Sequence, residues 1–380
     1  MSSVEAIREG GAVTWRRITS RHGWTIGVLL LLALIVPYWR SLSRQEAQFD
    51  LQALAIDVLP FALAAMAQAV VVISGGIDLS VGSLMSVINV LSAEYMVDMS
   101  FHQALLYAAG LVVLGALMGA FTGTLIVVSR IPDIVVTLAM LFVWGGVALL
   151  ILEIPGGGAP QGFLDLGIGT TATKWLPTPF LILAGAYVLI WLPLRRARPG
   201  LALYAVGSHR NAAYLSGVNV ARARITAYAL GGAFAALAGL ALTATSGLGD
   251  PNAGAIYTLN SVAAVVLGGV SLAGGVGGLI GPIAAATILT LVKTILILRG
   301  TDPNYAQVYQ GLIIIAVVIG GTSILGGFGG YGGTILGALI LTVLDSLLTI
   351  LDAEQGVKQI LYGAIIIALA GIYARATGGD

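Results

Sequence analysis

Residues 52–73 run with one charged side chain, Asp57, and then stop abruptly at SGGIDLSVGS (74–83). About 20 apolar residues are enough to cross a bilayer as a helix. Lipid offers the backbone no hydrogen bonds, so a spanning chain must satisfy its polar groups inside helices or a sealed barrel. Similar apolar runs recur along the 380 residues, of which 9% are charged and 58% hydrophobic. A soluble domain carries about 25% charge. The bilayer is therefore the solvent for most of this surface. The 52 glycines add close helix packing and interrupted helices to that expectation.

Composition also removes several kinds of chemistry. With no cysteine there is no disulfide, thiolate metal site or cysteine nucleophile. The three lysines (Lys174, Lys293, Lys358) never follow a glycine, so the chain has no phosphate loop of the G-K-S/T kind and cannot hydrolyse ATP by that route. His22, His102 and His209 stand apart, with no metal-binding spacing. Neither a metal nor another cofactor is expected, and a net charge of +1 gives no reason to expect nucleic acid.

The hydrophobic windows predict an all-α polytopic membrane protein of about 10–12 transmembrane helices. They lie near 23–39, 52–73, 84–97, 104–128, 133–152, 177–194, 225–245, 260–276, 279–298, 306–319, 334–350 and 357–373. Residues 1–22 read as a cytoplasmic segment and 23–375 as one transmembrane domain. The first run follows Arg8, Arg16, Arg17 and Arg21 and lacks an A-x-A-like cleavage site afterwards, so it reads as a retained helix rather than a signal peptide. An N-in, C-in arrangement places all Lys and Arg on the cytoplasmic side except Arg40, Arg44, Lys174, Lys293, Arg299 and Lys358, as the positive-inside rule prefers. The polar loops 153–175 and 246–259 then face outside.

The largest cytoplasmic segment, 195–224, contains SHRNAAYLSG, with Ser208 placed as a helix N-cap and Gly217 as a stop. A short helix lying at the membrane surface there is a docking element. Residues 267–318 and 319–370 form a tandem 52-residue repeat: LGGVSLAGGVGGLIGP matches IGGTSILGGFGGYGGT in its glycine and serine register. The repeat aligns Lys293 with Asp345, two ionisable groups in apolar spans that are expected to face each other or a shared polar cavity.

Glycine-rich breaks at membrane depth survive only where protein or a water-filled cavity surrounds them, and they present free backbone groups to polar solutes. The first break supplies Gly75, Gly76, Asp78, Ser80 and Ser83, the second Gly268, Gly269 and Ser271, and its echo Gly320, Gly321 and Ser323. Asp78, Ser80 or Ser83 can cap the next helix, while Asp78 can equally lie near a solute path. Tyr257, Asn260 and Gln310 are polar contacts for a solute or anchors at helix ends. A transporter or channel fits this pattern better than an intramembrane hydrolase.

Several stretches carry a family likeness. SGGIDLSVGS (74–83), SRIPDIVVTLAM (129–140), YAVGSHRNAAYLSGVNVARARI (204–225) and SVAAVVLGGVSLAGGVG (261–277) resemble segments of ribose/xylose-type sugar ABC importer permeases. GGTSILGGFGGYGGTILGALIL (320–341) resembles the C-terminal segment of the same family, whose wider grouping includes branched-chain amino-acid and nucleoside permeases. The resemblance implies a multi-pass protein of the bacterial inner membrane that imports a pentose or hexose by alternating access. The implied partners are cytoplasmic ATP-binding subunits, a second permease copy and an extracytoplasmic sugar-binding protein. Asn211, Ala212, Ala213 and Gly217 occupy the E-A-A-x-x-x-G spacing by which such permeases dock the ATPase, with asparagine in the glutamate position. The family ends after one copy of the C-terminal glycine segment, and this chain has two. An ion-coupled transporter using Asp57, Asp78 or Asp345 is the rival reading.

Overall fold

A computed structural model of the chain describes residues 3–43, 45–171 and 175–302. Its described residues are helical, without an extended strand. Helix α2 (Ala47–Ile73) is the axis of the bundle, because its sequence is apolar all round and so favours burial on every side. Its 27 residues reach about 40 Å, enough for a complete crossing. Against it pack α11 (Val220–Ser246) and α13 (Ile280–Leu298), while α4 (Phe101–Ser129) lies on α11 and α5 (Asp133–Ile151) on residues 81–95. The first helix is α1 (Ser3–Leu42), and over Gly23–Leu42 it leaves most of its apolar surface outward, as a lipid-facing helix does. A further span is continuous over α7 (Thr178–Gly185), a π-helical segment (Ala186–Trp191) and α8 (Leu192–Arg196). Among the described residues seven helices are long and apolar enough to cross a membrane.

Packing in the centre follows from small side chains. Gly115, Gly119 and Gly123 recur every fourth residue on α4 and meet Tyr228, Gly232 and Ala236 of α11. A methyl group on Gly119 would stand 2.1 Å from the Tyr228 carbonyl oxygen. With no side-chain layer between them, the two backbones touch, the small-residue packing that membrane helices use without a hydrophobic driving force.

Besides the short α6 (Gln161–Ile168) after α5 and the arginine-bearing helices described below, two helices packed into the bundle are too short to cross. Helix α3 (Val81–Tyr95) has 15 residues and α12 (Ala255–Leu267) has 13, about 22 and 20 Å against a hydrocarbon core of about 30 Å. Their first turns overlap within the bundle: the Gly254 N–H donates to Ser86 Oγ at 3.0 Å, and Gly82 packs against Gly254 and Thr258. The spans expected over 84–97 and 260–276 are thus corrected to short helices over 81–95 and 255–267, the second followed by irregular backbone from 268 to 279. The loop expected outside over 246–259 ends earlier, at 254. It descends along α3, where the Asn89 side chain accepts from the Asp250 N–H at 2.7 Å, and residues 255–259 begin α12. Asn89 also donates to Thr243 Oγ1 at 2.9 Å and to the Leu248 carbonyl at 3.1 Å. Gly249, Pro251 and Gly254 of that loop are buried, and the side chains of Asn89 and Ser86 satisfy backbone groups at or beside them. The second repeat copy and the spans expected beyond residue 302 lie outside the described residues, with Gln310, Gly320, Gly321, Ser323 and Asp345.

Candidate functional site

The chain leaves α2 through a left-handed turn at Gly75, whose φ of +80° favours glycine. It then climbs back beside α2 as non-helical backbone until α3 begins. The reversal therefore follows a full crossing rather than interrupting one, and Ser74, Gly76, Asp78 and Ser80 are buried in it. Side chains satisfy several polar groups of that stretch. Gln68, its amide oriented to satisfy both sides, donates to the Asp78 carbonyl at 2.8 Å and accepts from the Asp78 N–H at 3.3 Å. Thr137 Oγ1 and Tyr228 OH both approach the Ile77 carbonyl at 3.3 Å. The Asp78 carboxylate is buried and accepts from the Ser80 N–H (2.8 Å) and Ser80 Oγ (2.6 Å). It closes a turn just before the helix. Ser80 is the N-cap of α3, yet its side chain accepts no cap hydrogen bond, and Ser83 Oγ donates back to the Ser80 carbonyl at 3.0 Å.

An ion pair holds this turn from outside. Asp133, at the start of α5, pairs with Arg224 of α11 and accepts from Tyr228 OH at 3.0 Å. Both charged side chains are largely buried, with 15% and 12% of their side-chain surface exposed. A side chain on Gly76 would run into the Tyr228 hydroxyl and the Asp133 carboxylate.

The second break is built from Gly269, Gly274, Gly275 and Gly277, all at positive φ. Trp24 of α1 seals its start, donating Nε1–H to the Leu267 carbonyl at 2.7 Å and covering Gly269. Gly268 packs against Gly281 and Pro282 at the start of α13, and the Ser271 N–H donates to the Val276 carbonyl at 3.1 Å. Its other end meets the first break directly: the Gly275 N–H donates to the Ile73 carbonyl at 2.9 Å.

The arginine-bearing segment completes that junction. Its helices are α9 (Arg198–Ser208) and α10 (Arg210–Leu215). Gly207, near the end of α9, lies against Ile73, Gly75 and Gly275 so closely that a Cβ would sit 2.0 Å from the Ile73 carbonyl oxygen. The short helix expected here is present, but its cap is corrected from Ser208 to His209, whose Nδ1 accepts from the Ala212 N–H at 3.2 Å. Ser208 instead packs against Gly275. Gly217 ends the turn at φ +83°. Ala213 points inward onto Val206 and Ala223, whereas Asn211, Ala212, Tyr214 and Leu215 are exposed, Leu215 at 84%. Sequence reasoning missed Tyr214 and Leu215; two large apolar residues within a polar surface helix were the available signal. At the opposite end, the loops after α5 and α11 are joined by paired hydrogen bonds between Gly156 and Gly249 (2.9 and 2.8 Å).

A bundle of spanning helices whose irregular segments are buried, satisfied and pressed against a surface helix is the build of a polytopic transport permease. The chain belongs to the family described as the permease component of the branched-chain amino acid transport system, which matches residues 51–318. It is a multi-pass protein of the inner membrane. It is 34% identical over 265 residues to the ribose import permease of Escherichia coli (strain K12), covering 68% of this chain and 81% of that one. The fructose import permease of Rhizobium meliloti is 35% identical over 263 residues (66% and 72%). The galactofuranose transporter permease of Escherichia coli (strain K12) is 34% identical over 301 residues (77% and 86%). No solved structure matches the chain.

Proposed function

We propose that the chain is the membrane subunit of an ATP-driven importer for a monosaccharide, a pentose or hexose. Family membership and the sugar permeases among the relatives support the substrate class. The observation that carries the mechanism is the three-way contact of Gly75, Gly207 and Gly275. A separate ATP-binding subunit docks on the exposed face of α10 through Asn211, Tyr214 and Leu215. Asn211 makes this contact by hydrogen bonding, without a charge. Because α9 presses backbone to backbone on both breaks, displacement of α9 and α10 moves the ends of α2 and α12 together. That is the lever from ATP closure to alternating access. A binding protein delivers solute at the opposite end, where Gly156 and Gly249 tie two loops, and a second permease copy completes the pathway. The positive-inside bias puts the docking helix in the cytoplasm. No covalent chemistry occurs in this chain.

Docking is tested at two positions. Leu215→Asp changes an exposed side chain and leaves the fold alone. It is expected to reduce co-purification of the ATP-binding subunit at least tenfold, with uptake falling in parallel. Ala213→Lys forces a charge into the small cluster with Val206 and Ala223 and is expected to do the same, with normal membrane insertion. Full uptake by both variants, or uptake in energised vesicles without any ATPase subunit, would favour an ion-coupled transporter.

A further inference from the structure

Four polar side chains converge in a cleft away from both breaks. Asp57 of α2, Tyr257 and Asn260 of α12 and Lys293 of α13 line a cavity of about 430 Å³ that α11 closes on its fourth side. None of the four heads makes a hydrogen bond or an ion pair within 4 Å among the described residues. Unpartnered polar groups on apolar spans are costly and mark solute paths. Asp57 lies ten residues from the start of α2 at Ala47, and Lys293 five from the end of α13 at Leu298. The cleft therefore occupies the half of the bundle opposite the arginine-bearing segment.

We propose that this cleft is the site at which the solute is held within the membrane, and that it fits a neutral polyhydroxylated molecule of monosaccharide size; this rests on the import function proposed above. The volume falls in the range of roughly 300–1,000 Å³ typical of small-molecule sites. One carboxylate and one ammonium cancel, so an anion or a cation meets one attraction and one repulsion. A hydroxyl-rich neutral solute instead donates to Asp57 and accepts from Lys293, and such charge-assisted bonds are the strong ones. Thr245, Thr290 and Thr294 donate to carbonyls of their own helices at 2.8, 3.0 and 3.0 Å, which leaves their oxygens as acceptors. The Phe61 and Tyr257 rings, with centroids 6.0 Å apart, supply an apolar wall. Asn260 provides both a donor and an acceptor.

The absence of native cysteine makes the test direct. Asn260→Cys and Thr294→Cys are compared with Ala236→Cys, whose parent is fully buried, in the assembled transporter with its binding protein and ATPase. A membrane-impermeant methanethiosulfonate is added from the binding-protein side. The two cleft cysteines are expected to react at least tenfold faster than the control. Ribose or fructose should slow them at least fivefold, and leucine should not. Reaction as slow as the control overturns the cleft, protection by leucine alone overturns the neutral-polyol class, and protection by no solute overturns binding there. Stimulation of ATP hydrolysis by the sugar-loaded binding protein is measured on the same preparation. Its absence overturns the importer reading itself, whereas stimulation with unprotected cysteines overturns only the cleft.

Discussion

Gly207→Val is expected to lower uptake at least tenfold while the permease still inserts and still holds its ATPase partner. The reason is geometric. A Cβ at this position meets the Ile73 carbonyl oxygen at 2.0 Å and the Gly275 nitrogen at 2.5 Å, and both are backbone atoms that no rotamer change can move aside. Relief requires α9 to back away from both breaks and the Gly275–Ile73 hydrogen bond to open. Overpacking in a well-filled interior costs about 1–3 kcal/mol, little enough for the bundle to survive. The docking face of α10 points the other way and stays intact. ATP hydrolysis should therefore continue but no longer drive transport. Gly207→Ala should lie between the two. Uptake within twofold of wild type by the valine variant, in matched proteoliposomes, would refute the lever.

The second large effect is expected at the ion pair that grips the first break. Asp133→Ala leaves Arg224 largely buried without its carboxylate, and its Nε already lacks a partner. Breaking a buried pair by removing one member costs about 3–5 kcal/mol, whereas replacing both with apolar groups is often neutral. Thermal unfolding in detergent should fall clearly for Asp133→Ala and for Arg224→Met. The double variant should recover more than half of either loss. Tyr228→Phe, which removes one hydroxyl from Asp133 and Ile77, should cost about 1 kcal/mol. Losses that simply add in the double variant would show that the two side chains act separately.

Much of this was legible in the sequence because it depends on local signals. The 52–73 run, the glycine turn after it and the stop at Gly217 need only periodicity and backbone preference. The short helix α12 was not legible. An apolar window over 260–276 cannot register that the preceding loop descends into the bundle and uses up half of the crossing. The cap at His209 was missed for a tertiary reason, since serine caps better in isolation but Ser208 is taken up against Gly275. The Asp133–Arg224 pair joins residues 91 positions apart, a separation that no local pattern registers. Lys293 was expected to face Asp345 or a shared polar cavity; Asp345 lies outside the described residues, and the fold gives Lys293 a cleft shared with Asp57. Asp57 and Lys293 stand on α2 and α13, and only the packing of those two helices brings them to one cleft.

The glycine seam between α4 and α11 has a mechanical consequence. Two helices whose main chains interlock cannot slide past one another without unpacking, so they behave as a single strut. The strut begins where α10 leads into α11, the point that would receive the push of the lever proposed above. Helix α3 is tied to the same strut, because a Cβ on Gly239 would stand 2.5 Å from the Met85 carbonyl oxygen. Among the described residues the glycine turns at Gly75 and from Gly269 to Gly277 would then be the joints of that lever.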